Sequence, residues 1–359
     1  MRRFIITLSA VLAVAAYSLS CAKAPETSAK SGDEKLVGIA FYNLENLFDT
    51  INANGKYDLE FSPRGSRQWD SDKYWKKINN LAFAISRMTT PRTPQGPAII
   101  GIAEVENRSV VEDLVNADPL RHRGLRIVHH DSPDNRGIDV ALLFDPAMFE
   151  VIDVTNTPLA EVSFPTRDQM CVTGVMTGTT DTLSVIVNHW PSRLGGEMES
   201  RPNRVAAARL SKHLADSLWA IRPNQHVIIM GDLNDDPQDY SCAVTLGATK
   251  KSKDTQLHGF FNPWWSTLLM GTGTLSYKGR WNLFDQIIVS GTLIDNKKHH
   301  RTGALAYDHN WVMDFDFLQN PEGSPYEGTP LRTYASGKFL NGYSDHFPTQ
   351  IFLRIPRSR

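Results

Sequence analysis

Residues 227–234 read Val-Ile-Ile-Met-Gly-Asp-Leu-Asn, the most informative order of residue types in the chain. The four apolar residues predict a strand that is buried on both faces. Gly231 then lets the chain turn and expose two polar side chains. Asp232 could polarise or deprotonate water, and Asn234 could donate to a phosphate oxygen. Because these residue types also dominate ordinary turns, the motif alone leaves a plain turn open.

The same placement of polar residues recurs at other apolar runs of strand length. Strand ends of one sheet edge converge in space, and binding sites collect there. Carboxylates and amides at such an edge form an oxygen-rich pocket that suits Mg²⁺, with Mn²⁺ or Ca²⁺ as alternatives, better than zinc. The runs and their polar neighbours are Leu36–Phe41 before Asn43, Ala98–Ala103 before Glu104, Leu183–Val187 before His189, Asp285 before Gln286–Val289, and Asp345-His346 before residues 349–353.

Helical patterns lie between some of these runs. Tyr74, Ile78, Leu81, Ile85 and Met88 form one apolar stripe, and a second runs from Ala206 to Leu218. Strands that are buried on both faces need helices outside the sheets. The pattern therefore predicts an α/β fold and one domain over residues 36–357.

Histidine and arginine side chains complete the candidate site. Asp285 is a candidate partner that would fix the tautomer of His346. Arg193 and Arg204 are candidates for clamping a phosphate, because a guanidinium donates to two oxygens in a fork. For Arg204 a purely structural role is an equal alternative. Arg136 and Asp139 offer a similar choice, and a mutual ion pair is favoured over a place in the phosphate site.

The first residues have the pattern of an export signal. Arg2 and Arg3 precede an apolar run that is too short for a confident membrane span, which predicts a signal peptide over residues 1–20. Cys21 stands at the expected cleavage point and predicts a lipid anchor, with an incidental cysteine as the alternative. Residues 21–35 form a polar, flexible tether. We therefore expect an exported, membrane-anchored lipoprotein at the periplasmic or cell surface.

Six motifs in order resemble the endonuclease/exonuclease/phosphatase superfamily, which includes deoxyribonuclease I. The resemblance covers nearly the whole chain after the tether and suggests a bacterial exported lipoprotein subgroup. It implies a four-layer α/β/β/α sandwich of two mixed sheets. The motifs are Phe41-Tyr42-Asn43-Leu44-Glu45-Asn46, Ile102-Ala103-Glu104-Val105-Glu106-Asn107, Asn188-His189, Gly231-Asp232-Leu233-Asn234, Asp285 and Ser344-Asp345-His346.

The resemblance also implies roles for these residues. Glu104, rather than Glu106, would hold the divalent metal, with Asn43 and Asp345 close by. Asp232 would orient or activate the water, and Asn234 would bind the phosphate. His346 would contact the scissile phosphate with Asp285 as its orienting partner. His189 would assist the leaving group or the transition-state charge, and a histidine there disfavours the DNA-repair members that lack one.

Three functions compete at this point. The first is an extracytoplasmic nuclease or phosphodiesterase, for which residues 64–77 offer basic and aromatic side chains, although a solvated loop and helix face is the favoured interpretation of that stretch. A net charge of -1 gives no electrostatic case for nucleic acid over the chain as a whole. The second is a sphingomyelinase-like or small-molecule phosphoester hydrolase, with the aromatic run 260–265 against lipid. The third is a non-catalytic binding lipoprotein, which six intact motifs disfavour.

Two further expectations concern partners. The substrate is a phosphoester, in nucleic acid or a phospholipid head group, and no obligate protein partner is evident. Cys171 and Cys242 could pair in an oxidising compartment, although the sequence does not place them together. Neither cysteine has the spacing of a thiolate zinc site.

Overall fold

The computed structural model describes residues 34–51, 59–295 and 305–356. The predicted signal peptide, the lipid attachment at Cys21 and the tether up to residue 33 lie outside these ranges. In chain order the described strands are β1 (Glu34–Leu47), β2 (Ile99–Val105), β3 (Arg126–His129), β4 (Asp139–Phe144), β5 (Phe149–Thr157), β6 (Gln169–Met176), β7 (Thr182–His189), β8 (His226–Asp232), β9 (Ala248–Thr249), β10 (Phe260–Phe261), β11 (Leu275–Tyr277), β12 (Arg280–Asn282), β13 (Asp285–Ser290), β14 (Ala306–Val312), β15 (Tyr334–Ala335), β16 (Lys338–Phe339) and β17 (Thr349–Pro356).

The four α-helices of the described chain are α1 (Ser71–Ser86), α2 (Arg108–Asn116), α3 (Glu197–Ile221) and α4 (Trp264–Leu269). Within the described ranges, none of the helices combines the length and apolarity that crossing a bilayer requires. Single helical turns link the larger elements, five of the 3₁₀ type and one, Ser241–Thr245, of the π type. The 3₁₀ turns are Leu59–Phe61, Arg121–Arg123, Ser252–Asp254, Gly291–Leu293 and Asp316–Leu318.

The strands form two large mixed sheets. In the first, the order is β14-β17-β1-β2-β4-β3, and β1 and β2 are its parallel pair. In the second, the order is β5-β6-β7-β8-β13-β10-β9, and β7 runs parallel to β8. All six apolar runs singled out in the sequence lie in strands of these sheets. The predicted sandwich of two mixed sheets is confirmed.

Helices cover the sheets from outside. The predicted stripe of α1 is buried, and Asp70 caps the N-terminus of the helix, because its side chain accepts a hydrogen bond from Lys73 N at 3.0 Å. Helix α3 packs on the second sheet with a buried stripe one position away from the predicted one. Its buried members are Ala207, Ser211, Ala215 and Trp219. Of the predicted stripe, Ala206 is buried too, and Leu210, Leu214 and Leu218 are partly buried against the same apolar cluster.

Strand β1 begins two residues earlier than the predicted domain. Glu34 pairs with Pro356, and Lys35 pairs with Ile355, in the antiparallel register of β1 and β17. The last part of the predicted tether therefore belongs to the first sheet. The predicted end at residue 357 lies outside the described ranges.

Candidate active site

The candidate residues meet at one end of the sandwich because two parallel strand pairs end there. β1 and β2 bring Asn43 and Glu104 from the first sheet, and β7 and β8 bring His189 and Asp232 from the second. β13 starts opposite Asp232, since Asp285 is its partner across the antiparallel ladder. Asn234, Asp345 and His346 follow or precede these strands. The structure thus assembles eight of the ten predicted site residues.

Asp232 lies at the centre of this cluster and is 3% exposed. Its Oδ2 accepts a hydrogen bond from Asn43 Nδ2 at 3.0 Å and lies 3.5 Å from His189 Nε2 and 3.9 Å from His346 Nε2. Its Oδ1 accepts from the N–H of Asn234 at 3.0 Å. Burial raises the pKa of Asp232 to about 7, against which His346 acts as a neighbouring positive charge. A carboxyl group with this pKa can exchange a proton near neutral pH.

Asp285 orients His346, as predicted from the order of the motifs. His346 Nδ1 donates to Asp285 Oδ2 at 2.7 Å, and Asp285 is fully buried. Burial alone would lower the pKa of His346, but Asp285, with Asp345 and Asp232, raises it well above its ordinary value. Ser344 fixes the turn by donating to Asn43 O at 2.6 Å. The imidazole is therefore held as a cation with Nε2 toward Asp232.

A β-bulge aims Glu104 into the cluster. Its backbone φ is 63°, and the register of β2 shifts there against both β1 and β4. Glu104 Oε2 accepts from the N–H of Asn46 at 2.9 Å, while Oε1 lies 3.8 Å from His189 Nε2. Glu106 instead accepts from the N–H of Asp49 at 2.7 Å. The choice of Glu104 over Glu106 therefore agrees with the geometry.

His189 is a neutral imidazole in a buried position. Burial, reinforced by Arg167 and Arg136, lowers its pKa well below the ordinary value. Arg167 also fixes the strand end by donating from Nε to His189 O at 3.1 Å. With Nε2 between Glu104 and Asp232, His189 can donate a hydrogen bond without carrying a charge.

Gly231 is required by the turn that presents Asp232 and Asn234. Its φ is 153°, and a Cβ there would lie 2.1 Å from Asn188 O. Asn234 has a φ of 51° and donates from Nδ2 to Trp190 O at 2.9 Å. An amide nitrogen carries two hydrogens, so the second can still reach a ligand.

Two groups of described residues have the spacing to hold a metal ion. Asp232, Asp285 and His346 each offer an atom within 4.8 Å of the others in the cluster. His129, Asp131 and Asp139 form the other group. The first adjoins Asn43, Glu104 and Asp345, whose donors are oxygens. This chemistry fits a hard divalent cation.

The comparisons with known proteins agree with this geometry. The model of the Endonuclease/Exonuclease/phosphatase family matches residues 38–355. The chain belongs to this family. Members of the endonuclease/exonuclease/phosphatase family hydrolyse phosphoester bonds and use divalent metal ions, so the chain is a phosphoester hydrolase. A search of the curated proteins found no match.

Solved structures with the same fold share little sequence with the chain. Humanized D. rerio TDP2 with 14 mutations is 12% identical, with a TM-score of 0.54 over 89% of this chain and 98% of that chain. D. rerio TDP2 complexed with single strand DNA product is 13% identical, with a TM-score of 0.52 over 89% and 98%. An endonuclease/exonuclease/phosphatase family protein from Bacteroides thetaiotaomicron is 17% identical, with a TM-score of 0.52 over 90% and 100%. At these identities the likeness shows the fold alone.

Arg204 cannot clamp a substrate phosphate, contrary to one of the two sequence interpretations. It is fully buried in α3, and its Nε lies 2.6 Å from Asp235 Oδ1. Its Nη groups donate to Ser200 Oγ at 2.8 Å and Glu197 O at 2.9 Å. The side chain ties the start of α3 to the loop after β8.

Arg193 is also engaged within the protein rather than turned toward the cluster. It donates from Nε to Asn234 O at 2.8 Å and from Nη2 to Asp235 and Asp239 at 3.1 and 2.5 Å. Its guanidinium lies 4.5 Å from the ring centre of Phe284. Arg193 therefore stabilises the loop that carries Asn234, and the predicted role as a phosphate clamp does not agree with these contacts.

Asp139 does not pair with Arg136, so that interpretation is wrong. Asp139 accepts from Ser132 N at 2.8 Å and lies 3.3 Å from His129 Nε2. Arg136 turns toward the active site, where Nη2 donates to Asn46 Oδ1 at 2.5 Å and lies 3.4 Å from Glu104 Oε2. Arg136 is thus an active-site neighbour.

The basic and aromatic segment 64–77 is not a continuous exposed track. Trp69 and Lys77 are buried, whereas Trp75 is exposed and Lys76 pairs with Asp72. In the aromatic run 260–265, Phe260 and Trp264 belong to the core. Each segment therefore contributes some of its side chains to the core and leaves the others at the surface.

The sequence reasoning missed a second ionic network beside the cluster. Arg332 donates from Nε to Glu45 Oε1 at 3.2 Å and from Nη2 to Asp345 Oδ2 at 2.9 Å. Lys77 Nζ donates to Thr333 Oγ1 at 2.5 Å. Burial raises the pKa of Glu45 to about 7 and lowers that of Lys77 to about 8. The run Asn43-Leu44-Glu45 at the end of an apolar strand pointed to Glu45 in the sequence. Its hydrogen-bond partners Arg332 and Thr333 are 287 and 288 residues away, so no local pattern linked them.

Cys171 and Cys242 are buried free thiols, and the proposed pairing is not present in the structure. Both belong to the apolar cluster between α3 and the second sheet. Burial raises the pKa of Cys171 to about 11. Neither thiol therefore ionises near neutral pH.

Proposed function

We propose that the protein is a divalent-metal-dependent phosphodiesterase that acts outside the cytoplasm. The observation that carries this proposal is the buried Asp232 side chain, whose Oδ2 lies 3.5 Å from His189 Nε2 and 3.9 Å from His346 Nε2. His346 is held as a cation by Asp285, and His189 is neutral. Such a set can move a proton, bind an anionic phosphate and assist a leaving group within one pocket.

In the proposed reaction, a water molecule attacks phosphorus and one P–O ester bond breaks. Asp232 orients the water and takes its proton, because its raised pKa matches neutral pH. His346 and the free amide hydrogen of Asn234 donate to the phosphoryl oxygens. His189 donates a hydrogen bond from its neutral N–H to the leaving oxygen and keeps its proton. The leaving oxygen takes a proton from solvent and becomes an alcohol, and Asp232 returns the proton of the attacking water to solvent. Asp285 positions His346 without meeting the substrate.

We propose Asn43, Glu104 and Asp345 as the residues around a Mg²⁺ ion, which Mn²⁺ or Ca²⁺ could replace. Each contributes an oxygen, and Glu104 Oε1 and Asp345 Oδ1 both border the cluster through His189 and His346. A bound divalent ion would act as a Lewis acid that neutralises charge on the phosphate. Mg²⁺ needs only one or two protein carboxylates, which agrees with this small set.

Nucleic acid is the preferred substrate class of this proposal. The support for nucleic acid is the structure of D. rerio TDP2, which has a similar fold and is complexed with single strand DNA product. A phospholipid head group is the second candidate. Leu269 and Met270 favour it, because these apolar side chains are 81% and 78% exposed at the end of α4.

Export and lipid anchoring at Cys21 remain part of the proposal. The supporting features are the apolar run after Arg2 and Arg3 and the cysteine at its end. Labelled palmitate should enter the protein, and Cys21→Ser should release it from membranes. Absence of label would refute the anchor and leave the hydrolase assignment untouched.

The experiment that tests the function compares three substrates with Mg²⁺ and with EDTA. They are bis-p-nitrophenyl phosphate, plasmid DNA and sphingomyelin. We expect Mg²⁺-dependent hydrolysis of the first two, with EDTA removing it. Preferred cleavage of sphingomyelin would favour the second candidate. Equal rates with EDTA would contradict the metal-dependent proposal.

A further inference from the structure

A pocket of about 330 Å³ opens beside the candidate active site. It lies between the end of β1, the turn Leu59–Phe61 and the hairpin of β15 and β16. Two of its lining residues, Glu45 and Asn46, connect it to the catalytic cluster. Asn46 N donates to Glu104, and the lining residue Arg332 donates to Asp345. These contacts place the pocket beside Glu104 and Asp345, at the edge of the catalytic cluster.

Two arginines give the pocket a capacity to bind an anion. Arg67 and Arg332 both line it, and their side chains are 31% and 45% exposed. A guanidinium has five N–H donors. Arg67 uses Nε for Glu60, and Arg332 uses Nε and Nη2 for Glu45 and Asp345. Within residues 34–51, 59–295 and 305–356, the other donors have no protein partner.

Aromatic side chains hold the Arg67 guanidinium in place. Its carbon lies 5.2 Å from the ring centre of Tyr334 and 5.8 Å from that of Phe61. The Tyr334 hydroxyl donates to Arg67 O at 2.9 Å, and Trp69 is buried against the Tyr334 ring. An arginine fixed in this way loses little conformational freedom when it binds an anion.

Arg332, the second arginine of the pocket, is fixed as well. Glu45 Oε2 accepts from the N–H of Thr333 at 2.6 Å, while its Oε1 accepts from Arg332. Glu60 thus orients the guanidinium of Arg67, and Glu45 and Asp345 orient that of Arg332. The remaining N–H donors of both arginines are left for a ligand in the pocket. A phosphate suits these donors, since a guanidinium binds two of its oxygens in a fork.

We propose that this pocket binds a second phosphate group of the substrate, carried on the same molecule as the phosphoester that is hydrolysed. The inference rests on the proposed function, because the pocket would serve the same site. Its volume lies near the lower end of the roughly 300–1,000 Å³ found for small-molecule sites. The pocket therefore takes one phosphorylated unit, such as one end of a nucleic acid or a small bisphosphorylated molecule.

Binding measurements test the proposal without requiring turnover. Calorimetry on the full chain compares thymidine 3′,5′-bisphosphate with thymidine 5′-monophosphate, and fructose 1,6-bisphosphate with fructose 6-phosphate. Each pair differs by one phosphate. We expect the wild type to prefer the bisphosphate by about tenfold in at least one pair. Arg67→Gln should remove that preference.

Arg108→Gln is the matched control, because Arg108 also meets one glutamate through Nε, at 2.8 Å from Glu112, but lies outside the pocket. It should keep the preference. The pair that shows the preference identifies whether a nucleoside must carry the phosphate. Equal affinities within both pairs, or a preference that survives Arg67→Gln, would overturn the pocket assignment.

A parallel assay separates this inference from the proposed function. Thymidine 5′-(p-nitrophenyl phosphate), with and without a 3′-phosphate, is hydrolysed in the presence of Mg²⁺. Hydrolysis of both at equal kcat/KM would refute the second phosphate site while supporting the phosphodiesterase. Hydrolysis of neither, with the binding preference intact and lost in Arg67→Gln, would contradict the reaction and support the pocket.

Discussion

Replacing Asp285 by asparagine tests how the site holds its charged imidazole. Asp285 is fully buried, and its Oδ2 accepts from His346 Nδ1 at 2.7 Å. A hydrogen bond between charged partners contributes about 1.5–3 kcal/mol, and solvent does not screen this one. If the same interaction stabilises the transition state, Asp285→Asn lowers kcat by roughly tenfold to a hundredfold. The pKa of His346 should fall at the same time.

The same variant predicts a pH-dependent loss of stability. Because folding raises the pKa of His346, the pair contributes fully below the unfolded value of about 6.5. That contribution disappears as the pH rises through the raised folded pKa. The unfolding free energy of Asp285→Asn should therefore lie below that of the wild type by on the order of 2 kcal/mol at pH 6, and by less at pH 9.

Three measurements check this prediction. They are kcat on bis-p-nitrophenyl phosphate, the NMR titration of the His346 ring protons, and urea unfolding at both pH values. Asp308→Asn is the control, since Asp308 Oδ2 accepts from His309 Nδ1 at 2.6 Å outside the site. It should change stability and leave kcat unaltered. An Asp285→Asn protein with wild-type kcat and an unchanged His346 titration would refute the reasoning.

Three further outcomes follow from the geometry. Gly231→Ala should lower the unfolding free energy by about 3 kcal/mol or more, because the new methyl meets Asn188 O at 2.1 Å, as urea denaturation would show. Arg204→Met should cost about 3 kcal/mol, since the buried Asp235 loses its fully buried cation and keeps only Arg193 and Ser241 as partners, while KM in the folded fraction stays within about twofold. Metal affinity, measured by calorimetry, should rise by up to about tenfold per pH unit up to about pH 7 and then level off. The reason is that protonation of Asp232 removes a negative charge beside the bound cation.

The two stability predictions have controls within the chain. Gly247 also has a positive φ, 71°, but no atom lies within 4 Å of a Cβ there, so Gly247→Ala should cost only about 1 kcal/mol. Arg209 pairs with Glu161 on the surface, so Arg209→Met should cost under about 1 kcal/mol. A metal affinity that is flat from pH 5 to pH 8 would contradict the role of the Asp232 proton.

The sequence predicted the strands and the convergence of their ends because those features are local. A buried strand needs a run of apolar residues, and a polar residue directly after it must lie at the sheet edge. Asp232, Glu104 and His189 were identified in this way. Their order along the chain matched the family, and the structure brings them within one cluster.

Other site features depend on contacts that no local pattern encodes. Arg204 has a helical position and a charge that suit a phosphate clamp, but α3 begins at Glu197 and turns the side chain into the core. Arg332 lies outside the six motifs that were singled out in the sequence. Its partners Glu45 and Asp345 come close to each other only when β1 and β17 pair in the folded chain.

The most direct test of the account is the hydrolysis of bis-p-nitrophenyl phosphate by Asp232→Asn. Asparagine keeps the shape of the side chain but cannot take a proton from water, so kcat should fall by roughly 10²- to 10⁴-fold. Asp216→Asn, which alters an exposed carboxylate paired with Lys212, should match the wild type. EDTA should abolish the wild-type rate. An Asp232→Asn protein with the wild-type, metal-dependent rate would contradict the central assignment.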